Sequence, residues 1–335
     1  MHPVAEPRPG VRGRWIWAVS GVVTIVALGI PGVRLIAGSG SAGDGSVPTA
    51  AVPSKTVTVR QPVTSVNVES YGAQISVVAG SGRYTRVSES ITYSPPAAGP
   101  PAVTASVADG RLTLAAPACA NTNCSVAFTV TVPADVTLTA TSDGGPVTVS
   151  GIAKASISSG GGPVRATGIR GSLAVQTEGG SLILDGIGGP LHADTGGGPL
   201  LGRNVAAAVS TVSTDSGDAA IEFTGPAGAT AAITTNGGGA QVQFTAAPRA
   251  VVVSTDGGAA YVAVPGGPYA LTTDSDGGPQ LVEIATNPTA HSSITVTSGG
   301  GPLQVAPVTG PLPKLPIPPL PVVPQAPKVP PAPKA

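Results

Sequence analysis

Acidic side chains recur in front of glycine turns in the second half of the sequence, and these carboxylates could bind a cation. If successive turns stack, neighbouring carboxylates lie about 4.8 Å apart and repel one another, and a bound ion would relieve that repulsion. Ligand sets made only of oxygen atoms suit calcium. The weak calcium candidates are Asp143, Asp194, Asp215, Asp256 and Asp276, and Glu178, Asn236 and Asp274 share the same setting.

The residues around these acids differ from a known calcium repeat. The calcium-binding nonapeptide requires an aspartate after its glycines. Here proline, serine or alanine follows the last glycine of every turn except Gly217, which Asp218 follows. Aspartate is also common before glycine in turns that bind no metal. Turn chemistry is therefore the simpler interpretation, and we expect neither a metal nor another cofactor.

Groups suited to catalysis are few. The three histidines, His2, His192 and His291, lie far apart in the sequence, and no nucleophile-elbow motif accompanies them. A polysaccharide lyase or hydrolase would need paired carboxylates or a clustered base on one face, whereas the basic residues fall at varied positions of the turns. We expect a non-enzymatic protein. The alternative is a carbohydrate-binding or carbohydrate-cleaving β-helix protein of the cell surface.

Short strands must position these turns, because each turn leads into an alternating apolar run such as SSGGGPVRA from Ser158 or DTGGGPLL from Asp194. The turns recur every 17–23 residues, which indicates an internal repeat. The last glycines of the turns are Gly145, Gly162, Gly180, Gly198, Gly217, Gly239, Gly258, Gly278 and Gly301.

Two architectures fit a repeat of two short strands and two turns. One is a β-solenoid of stacked coils, and the other is an array of antiparallel hairpins closed into a sandwich or barrel. The same corner recurs in each repeat, which favours stacking, and aromatic residues are only 3% of the chain, which fits a narrow core. The sequence predicts an all-β protein with a β-solenoid over residues 135–306. Its inward residues are predicted to be Val164, Leu182, Leu184, Leu200, Ile221, Val242, Val262 and Leu303.

A β region without the repeat precedes the solenoid, at residues 55–134. Its runs alternate between apolar and polar residues, and Asp109-Gly110 between two of them predicts a hairpin. Because an open solenoid end exposes an edge strand, we expect this region to cap the stack.

The first 54 residues predict attachment to a membrane. Residues 15–33 contain no charge, and a helix over residues 15–36 would span a bilayer. Arg8, Arg12 and Arg14 in the basic tip, residues 1–14, keep the N-terminus in the cytoplasm. A cleaved signal peptide is the competing interpretation. Residues 37–54 form a flexible linker. We therefore expect a single-pass protein of the cell membrane with most of the chain outside the cytoplasm.

The tail at residues 307–335 holds twelve prolines, which excludes a helix or a central strand and predicts a disordered, extended segment. The net charge of the whole chain is +0, so nothing suggests a nucleic-acid partner. Partners of the exported part would be glycans or proteins of the cell wall or of a host surface.

Cys119 and Cys124 are the only cysteines. A disulfide across this short loop fits an oxidising compartment, while a metal site would need two further ligands and no histidine is near. We predict a Cys119–Cys124 disulfide.

Several motifs together resemble a known family. They are the cysteine segment continuing to Val126, the V-P-x-D-V step at residues 132–136, and the G-I-x-G units at residues 168–171 and 186–189. With the N-terminal anchor and the glycine turns, they resemble the bacterial putative-adhesin domain family of envelope proteins, many of them actinobacterial. The resemblance covers residues 55–305. It implies an exported β-solenoid and an adhesin-like or scaffolding role, and it supplies no catalytic residues.

Overall fold

The computed structural model describes residues 50–93, 100–118 and 124–310. All the regular secondary structure in these ranges is β-strand. The predicted basic tip, the predicted membrane helix and residues 37–49 of the linker lie outside the described residues, as do residues 311–335 of the proline-rich tail. The predicted end of the linker at residue 54 was wrong, because the first strand already begins at Ala50. Within the described ranges, no helix is long and apolar enough to cross a membrane.

Seven strands form the N-terminal part: β1 (Ala50–Val59), β2 (Ser65–Ser70), β3 (Gln74–Gly80), β4 (Thr85–Tyr93), β5 (Thr104–Ala108), β6 (Arg111–Ala116) and β7 (Ser125–Pro133).

Eighteen strands form the repeat: β8 (Thr137–Ser142), β9 (Val147–Ser150), β10 (Lys154–Ser159), β11 (Val164–Thr167), β12 (Leu173–Thr177), β13 (Leu182–Ile187), β14 (Leu191–Thr195), β15 (Leu200–Val205), β16 (Val209–Thr214), β17 (Ala219–Phe223), β18 (Thr230–Thr235), β19 (Ala240–Phe244), β20 (Ala250–Thr255), β21 (Ala260–Val264), β22 (Ala270–Asp274), β23 (Gln280–Val282), β24 (Ser293–Ser298) and β25 (Leu303–Pro307).

These strands build two facing sheets, and each coil of the chain contributes one strand to each. Sheet A has 13 strands in the order β1-β4-β7-β3-β9-β11-β13-β15-β17-β19-β21-β25-β23. Sheet B has 12 strands in the order β22-β24-β20-β18-β16-β14-β12-β10-β8-β2-β6-β5. All neighbours in the repeat pair in parallel, for example β8 with β10 and β10 with β12. The prediction of an all-β chain with stacked coils is confirmed.

The core lies between the two sheets and consists of in-register columns of aliphatic side chains. Val147, Val164, Leu182 and Leu200 are successive partners in sheet A, and all are buried. All eight residues predicted to point inward are buried members of this core. Two aromatic residues also stack: the rings of Phe223 and Phe244 lie 4.8 Å apart between neighbouring coils.

At the C-terminal end, the order of the coils in space differs from their order in the sequence. Strand β24 pairs with both β20 and β22, and β25 pairs with both β21 and β23. The coil β24–β25 is therefore inserted between its two predecessors, and β22–β23 becomes the outermost coil. Nothing in the glycine spacing distinguishes an inserted coil from an appended one, so the sequence did not indicate this.

The N-terminal strands continue both sheets beyond the repeat. Strand β2 pairs with β8, and β3 pairs with β9. Farther out the pairing becomes antiparallel, at β5–β6 in sheet B and at β1–β4 and β4–β7 in sheet A. The hairpin predicted at Asp109-Gly110 is confirmed: it joins β5 to β6, and both turn residues have positive φ.

The close approach of successive coils explains the recurrent glycines. A Cβ on Gly180 would lie 2.0 Å from the carbonyl oxygen of Gly162, and one on Gly198 would lie 2.1 Å from that of Gly180. We call the set with this contact the glycine ladder: Gly145, Gly162, Gly180, Gly198, Gly217, Gly238, Gly258, Gly301 and Gly278. The sequence-based marker Gly239 is one residue too late, because Gly238 holds the equivalent place. No ladder glycine has positive φ, so steric exclusion by the next backbone selects glycine here.

The opposite corner uses glycine for a different reason. Gly151, Gly168 and Gly186 have φ values of 74°, 64° and 68°, and Asn204 continues the column with φ 51°. The left-handed region favours glycine and tolerates asparagine. A buried aliphatic residue follows each of the four. The G-I-x-G units of the sequence are thus a left-handed corner followed by a core residue.

Prediction: Gly180→Ala should destabilise the fold strongly, while Gly179→Ala in the same turn should not. The new Cβ at position 180 meets backbone that cannot move without shifting a coil, and overpacking of this kind costs about 1–3 kcal/mol or more. A Cβ at position 179 has nothing within 4 Å. Urea unfolding midpoints of the two variants measure the difference, and equal midpoints would contradict the stacking of coils at this corner.

Candidate functional site

A buried hydroxyl closes the turn in every coil of the repeat. The hydroxyl of Thr195 donates to the carbonyl oxygen of Gly198 at 2.8 Å, and that of Thr177 donates to Gly180 at 2.9 Å. The donors of this hydroxyl ladder are Ser142, Ser159, Thr177, Thr195, Thr214, Thr235, Thr255, Ser298 and Ser275. Each acceptor is the carbonyl of a glycine-ladder residue. The bond fixes the corner and satisfies a carbonyl group that is shielded from water.

The residue before each hydroxyl points outward from sheet B and is polar in every coil. This column, which we call the polar edge, consists of Glu69, Thr141, Ser158, Gln176, Asp194, Ser213, Thr234, Ser254, Thr297 and Asp274. Its side chains are exposed or half-buried. The chain therefore presents a continuous row of hydroxyl, amide and carboxylate groups along one side of the molecule.

The residue after each hydroxyl lies at the turn itself and forms a second column. In spatial order this acid corner reads Tyr71, Asp143, Gly160, Glu178, Gly196, Asp215, Asn236, Asp256, Gly299 and Asp276. Glycine or asparagine lies between most of the acids, and Asn236 Nδ2 donates to Asp215 Oδ1 at 3.0 Å. The expectation of directly stacked carboxylates was therefore wrong, because uncharged residues keep the negative charges at least one coil farther apart.

Two of the acidic residues considered for calcium binding, Asp194 and Asp274, lie on the polar edge and not at the acid corner. Asp194 sits in strand β14 on the polar edge, level with Gln176 and Ser213. Asp274 belongs to the same edge column, at the end of β22. Asp143, Asp215, Asp256 and Asp276 do share the acid corner. Within the described ranges, no group of three or more His, Cys, Asp or Glu side chains could hold a metal ion.

One shallow cleft lies where the polar edge and the acid corner meet near the N-terminal end. Gly160, which has no side chain, leaves a notch of about 270 Å³ between Asp143 and Glu178. Gln176 and the hydroxyls of Thr141 and Ser158 complete its lining. Tyr71, 65% exposed, precedes Asp143 in the acid corner. The cleft thus combines hydrogen-bonding groups with two carboxylates, and Tyr71 lies one step along the acid corner from Asp143.

The other candidate residues lie apart from this cleft. His192 is exposed on strand β14, and His291 lies in the loop before β24. His2 and Cys119 lie outside the described residues. Cys124 is disulfide-bonded, and its pairing with Cys119 stays a prediction.

Burial raises two pKa values, both at sites away from the cleft. Burial raises the pKa of the Glu89 carboxyl, and the charge of Lys55 opposes that rise. Burial also raises the pKa of Tyr269, whose hydroxyl donates to the carbonyl of Pro265 at 2.7 Å. Glu89 lies in sheet A and Tyr269 lies just before β22, so both shifts reflect packing in the cap and at the C-terminal end.

Sequence reasoning treated the Ser or Thr of each turn as part of an alternating strand and missed the hydroxyl ladder. The signal was present, because a serine or threonine precedes each ladder glycine by three residues. The spacing identifies a side chain–backbone bond only when the hydroxyl is known to point inward, which requires the register of the strands.

The geometry defines a class of protein: a two-sheet parallel β-solenoid with a polar edge.

No family model and no curated protein matches the chain. A solved "putative adhesin" from Bacteroides fragilis NCTC 9343 is 14% identical, with a TM-score of 0.44, over 76% of this chain and 96% of that one. A second "putative adhesin", from Parabacteroides merdae ATCC 43184, is 9% identical, with a TM-score of 0.46, over 76% and 96%.

A third solved protein, a "putative cell adhesion protein" from Clostridium sporogenes ATCC 15579, is 12% identical with a TM-score of 0.24, over 76% of this chain and all of that one. The chain is thus similar in structure to bacterial proteins with adhesin names.

Prediction: Thr195→Val should lower the free energy of unfolding by about 1–3 kcal/mol, because it leaves the buried Gly198 carbonyl without its donor. Thr195→Ser is the matched control, since serine already fills this place in other coils, as at Ser159. Chemical denaturation of the two variants gives the comparison. A loss for serine as large as that for valine would assign the effect to packing rather than to the hydrogen bond.

Proposed function

We propose that this chain is a non-enzymatic, membrane-anchored protein on the outer side of the cell membrane, adhesin-like or scaffolding, that binds a surface polymer along the polar edge. The observation that carries the proposal is the unbroken polar column across all the coils. At about 4.8 Å per step, ten coils make this edge about 43 Å long, which suits an extended ligand better than a small molecule.

The chemistry of the edge favours a glycan as that polymer. Sugars present many hydroxyls, and Thr141, Ser158 and Gln176 offer donors and acceptors at the regular spacing of the strands. Tyr71 adds an exposed ring with an apolar face and a polar hydroxyl. A cell-wall or host-surface glycan lying along the cleft could contact all of these groups together.

Prediction: Gln176→Ala and Tyr71→Ala should each weaken binding of the full chain to purified cell-wall or host glycans about tenfold, which corresponds to about 1.4 kcal/mol. Thr211→Ala is the matched control, because Thr211 is exposed on sheet B in a neighbouring outward column. Pull-down followed by titration calorimetry measures both. Equal binding by all three variants, or no binding by the parent chain, would overturn the glycan proposal.

A carbohydrate-cleaving protein is the second candidate, and one observation favours it. Asp143 and Glu178 flank the notch at Gly160, and their backbones are two coils apart, about 9.6 Å. Inverting glycosidases hold their two carboxyl groups about 6.5–9.5 Å apart, a separation that side chains extending from these two backbone positions can adopt. Release of reducing ends from a bound glycan, lost in Glu178→Gln, would select this candidate over simple binding.

Prediction: protease added to spheroplasts should degrade the β-solenoid. The proposed location depends on the N-terminal sequence, where arginines precede an uncharged run of membrane length. Immunoblotting with an antibody against the repeat reads out the result, and a cytoplasmic marker controls for lysis. Complete protection of the repeat would contradict the extracytoplasmic location.

A further inference from the structure

The outer face of sheet A carries an apolar column that is buried although it points away from the core. Ile183, Leu201 and Ala220 are in-register partners on β13, β15 and β17. They alternate with core residues such as Leu182 and Leu200 and are themselves outside the core cluster. Their exposed fractions are only 9%, 7% and 4%. By contrast Val252, in an outward position of sheet B, is 47% exposed. Such low exposure at an outward position requires other atoms to pack over the column.

The chain that leaves the last strand turns back over this same face. Val308 N donates to the carbonyl of Val264 on β21 at 3.0 Å. Two residues later, the carbonyl of Gly310 accepts a hydrogen bond from Gln243 Nε2, on the outer face of β19. The Val308 bond continues the β21–β25 ladder, and by Gly310 the chain lies on the outer face within reach of the Gln243 side chain of β19. This direction leads onward across β17 and β15 to β13, which carry the apolar column.

Two buried donors beside this column lack acceptors. Arg165 Nε and Arg203 Nη2 are shielded from water and make no hydrogen bond with residues 50–93, 100–118 or 124–310. Arg165 lies on β11, level with Ile183, and Arg203 lies on β15, two residues from Leu201. A buried donor without a partner is unfavourable, so an acceptor placed beside it would stabilise the structure. A proline-rich segment is a suitable partner, because its carbonyls are free to accept and its prolines have no competing N–H.

We propose that residues 311–320 of this chain, PLPKLPIPPL, dock in cis across the outer face of sheet A, from β19 to β13. The path over three strands is about 14 Å, and the ten residues of the segment, about 31 Å long when extended, are long enough to span it. With three residues per turn, Leu312 and Leu315 lie on one side of such a segment. This side rests on Ile183, Leu201 and Ala220, and the segment's carbonyls face the two arginines.

The test measures access to the face in the full chain. Leu201→Cys is reacted with a maleimide under non-reducing conditions, which keep the native disulfide closed. Val252→Cys on sheet B is the matched exposed control, and the parent chain gives the background. Leu201→Cys should react at least about tenfold more slowly than Val252→Cys, because it reacts only when the cover opens locally. Changing Leu312, Leu315 and Ile317 to serine should remove that protection.

Ala220→Cys provides a second probe if Leu201→Cys fails to fold. The proposal is overturned if both probes react as fast as Val252→Cys, or if the serine tail leaves their protection intact. A second copy of the chain could also cover the face. In that case dilution of the protein, rather than the serine tail, would remove the protection, and the cis assignment would be wrong.

Discussion

The structure depends on contact between backbones at one corner of each coil. The carbonyl oxygen of a ladder glycine accepts a hydrogen bond from the buried hydroxyl of its own turn. The same oxygen also lies against the Cα of the next ladder glycine. A side chain on either glycine would force the two coils apart. Because parallel strands must keep a spacing of about 4.8 Å to hydrogen-bond, the corner cannot widen without breaking both sheets. Glycine at this corner is therefore required for the coils to stack.

This constraint explains what the sequence could predict and what it could not. The inward residues followed from alternation, because a period of two assigns a face to each residue without knowledge of its neighbours. The sequence did not show which residues of successive coils lie in the same column. Coil lengths vary, and an alignment error of one residue moves a side chain to another column. Gly239 and Asp194 were misplaced for this reason. The position of coil β24–β25 was also hidden, because parallel pairing permits an insertion that leaves no mark on composition.

The same corner determines how charge is distributed. In some repeats the residue after the buried hydroxyl lies in close contact with the backbone of the preceding coil. A Cβ on Gly160 would lie 2.2 Å from the carbonyl oxygen of Asp143, and a Cβ on Gly196 would lie 2.2 Å from the carbonyl oxygen of Glu178. Glycine is required there, so an acidic residue can occupy only alternate coils in that part of the column. The gap that separates the acids also forms the notch between Asp143 and Glu178. Steric exclusion alone thus produces a cleft with two carboxylates.

The two outer faces differ in what they can do. On sheet B the outward columns are free to vary, and the one beside the hydroxyl ladder is polar in every coil and open to solvent. On sheet A the outward column from Ile183 to Ala220 is apolar and already buried. A covered apolar face cannot also bind an external polymer, whereas a polar row at fixed spacing can. If the tail occupies sheet A, a surface ligand is left with sheet B and the adjoining acid corner, where Tyr71 and the Gly160 notch lie.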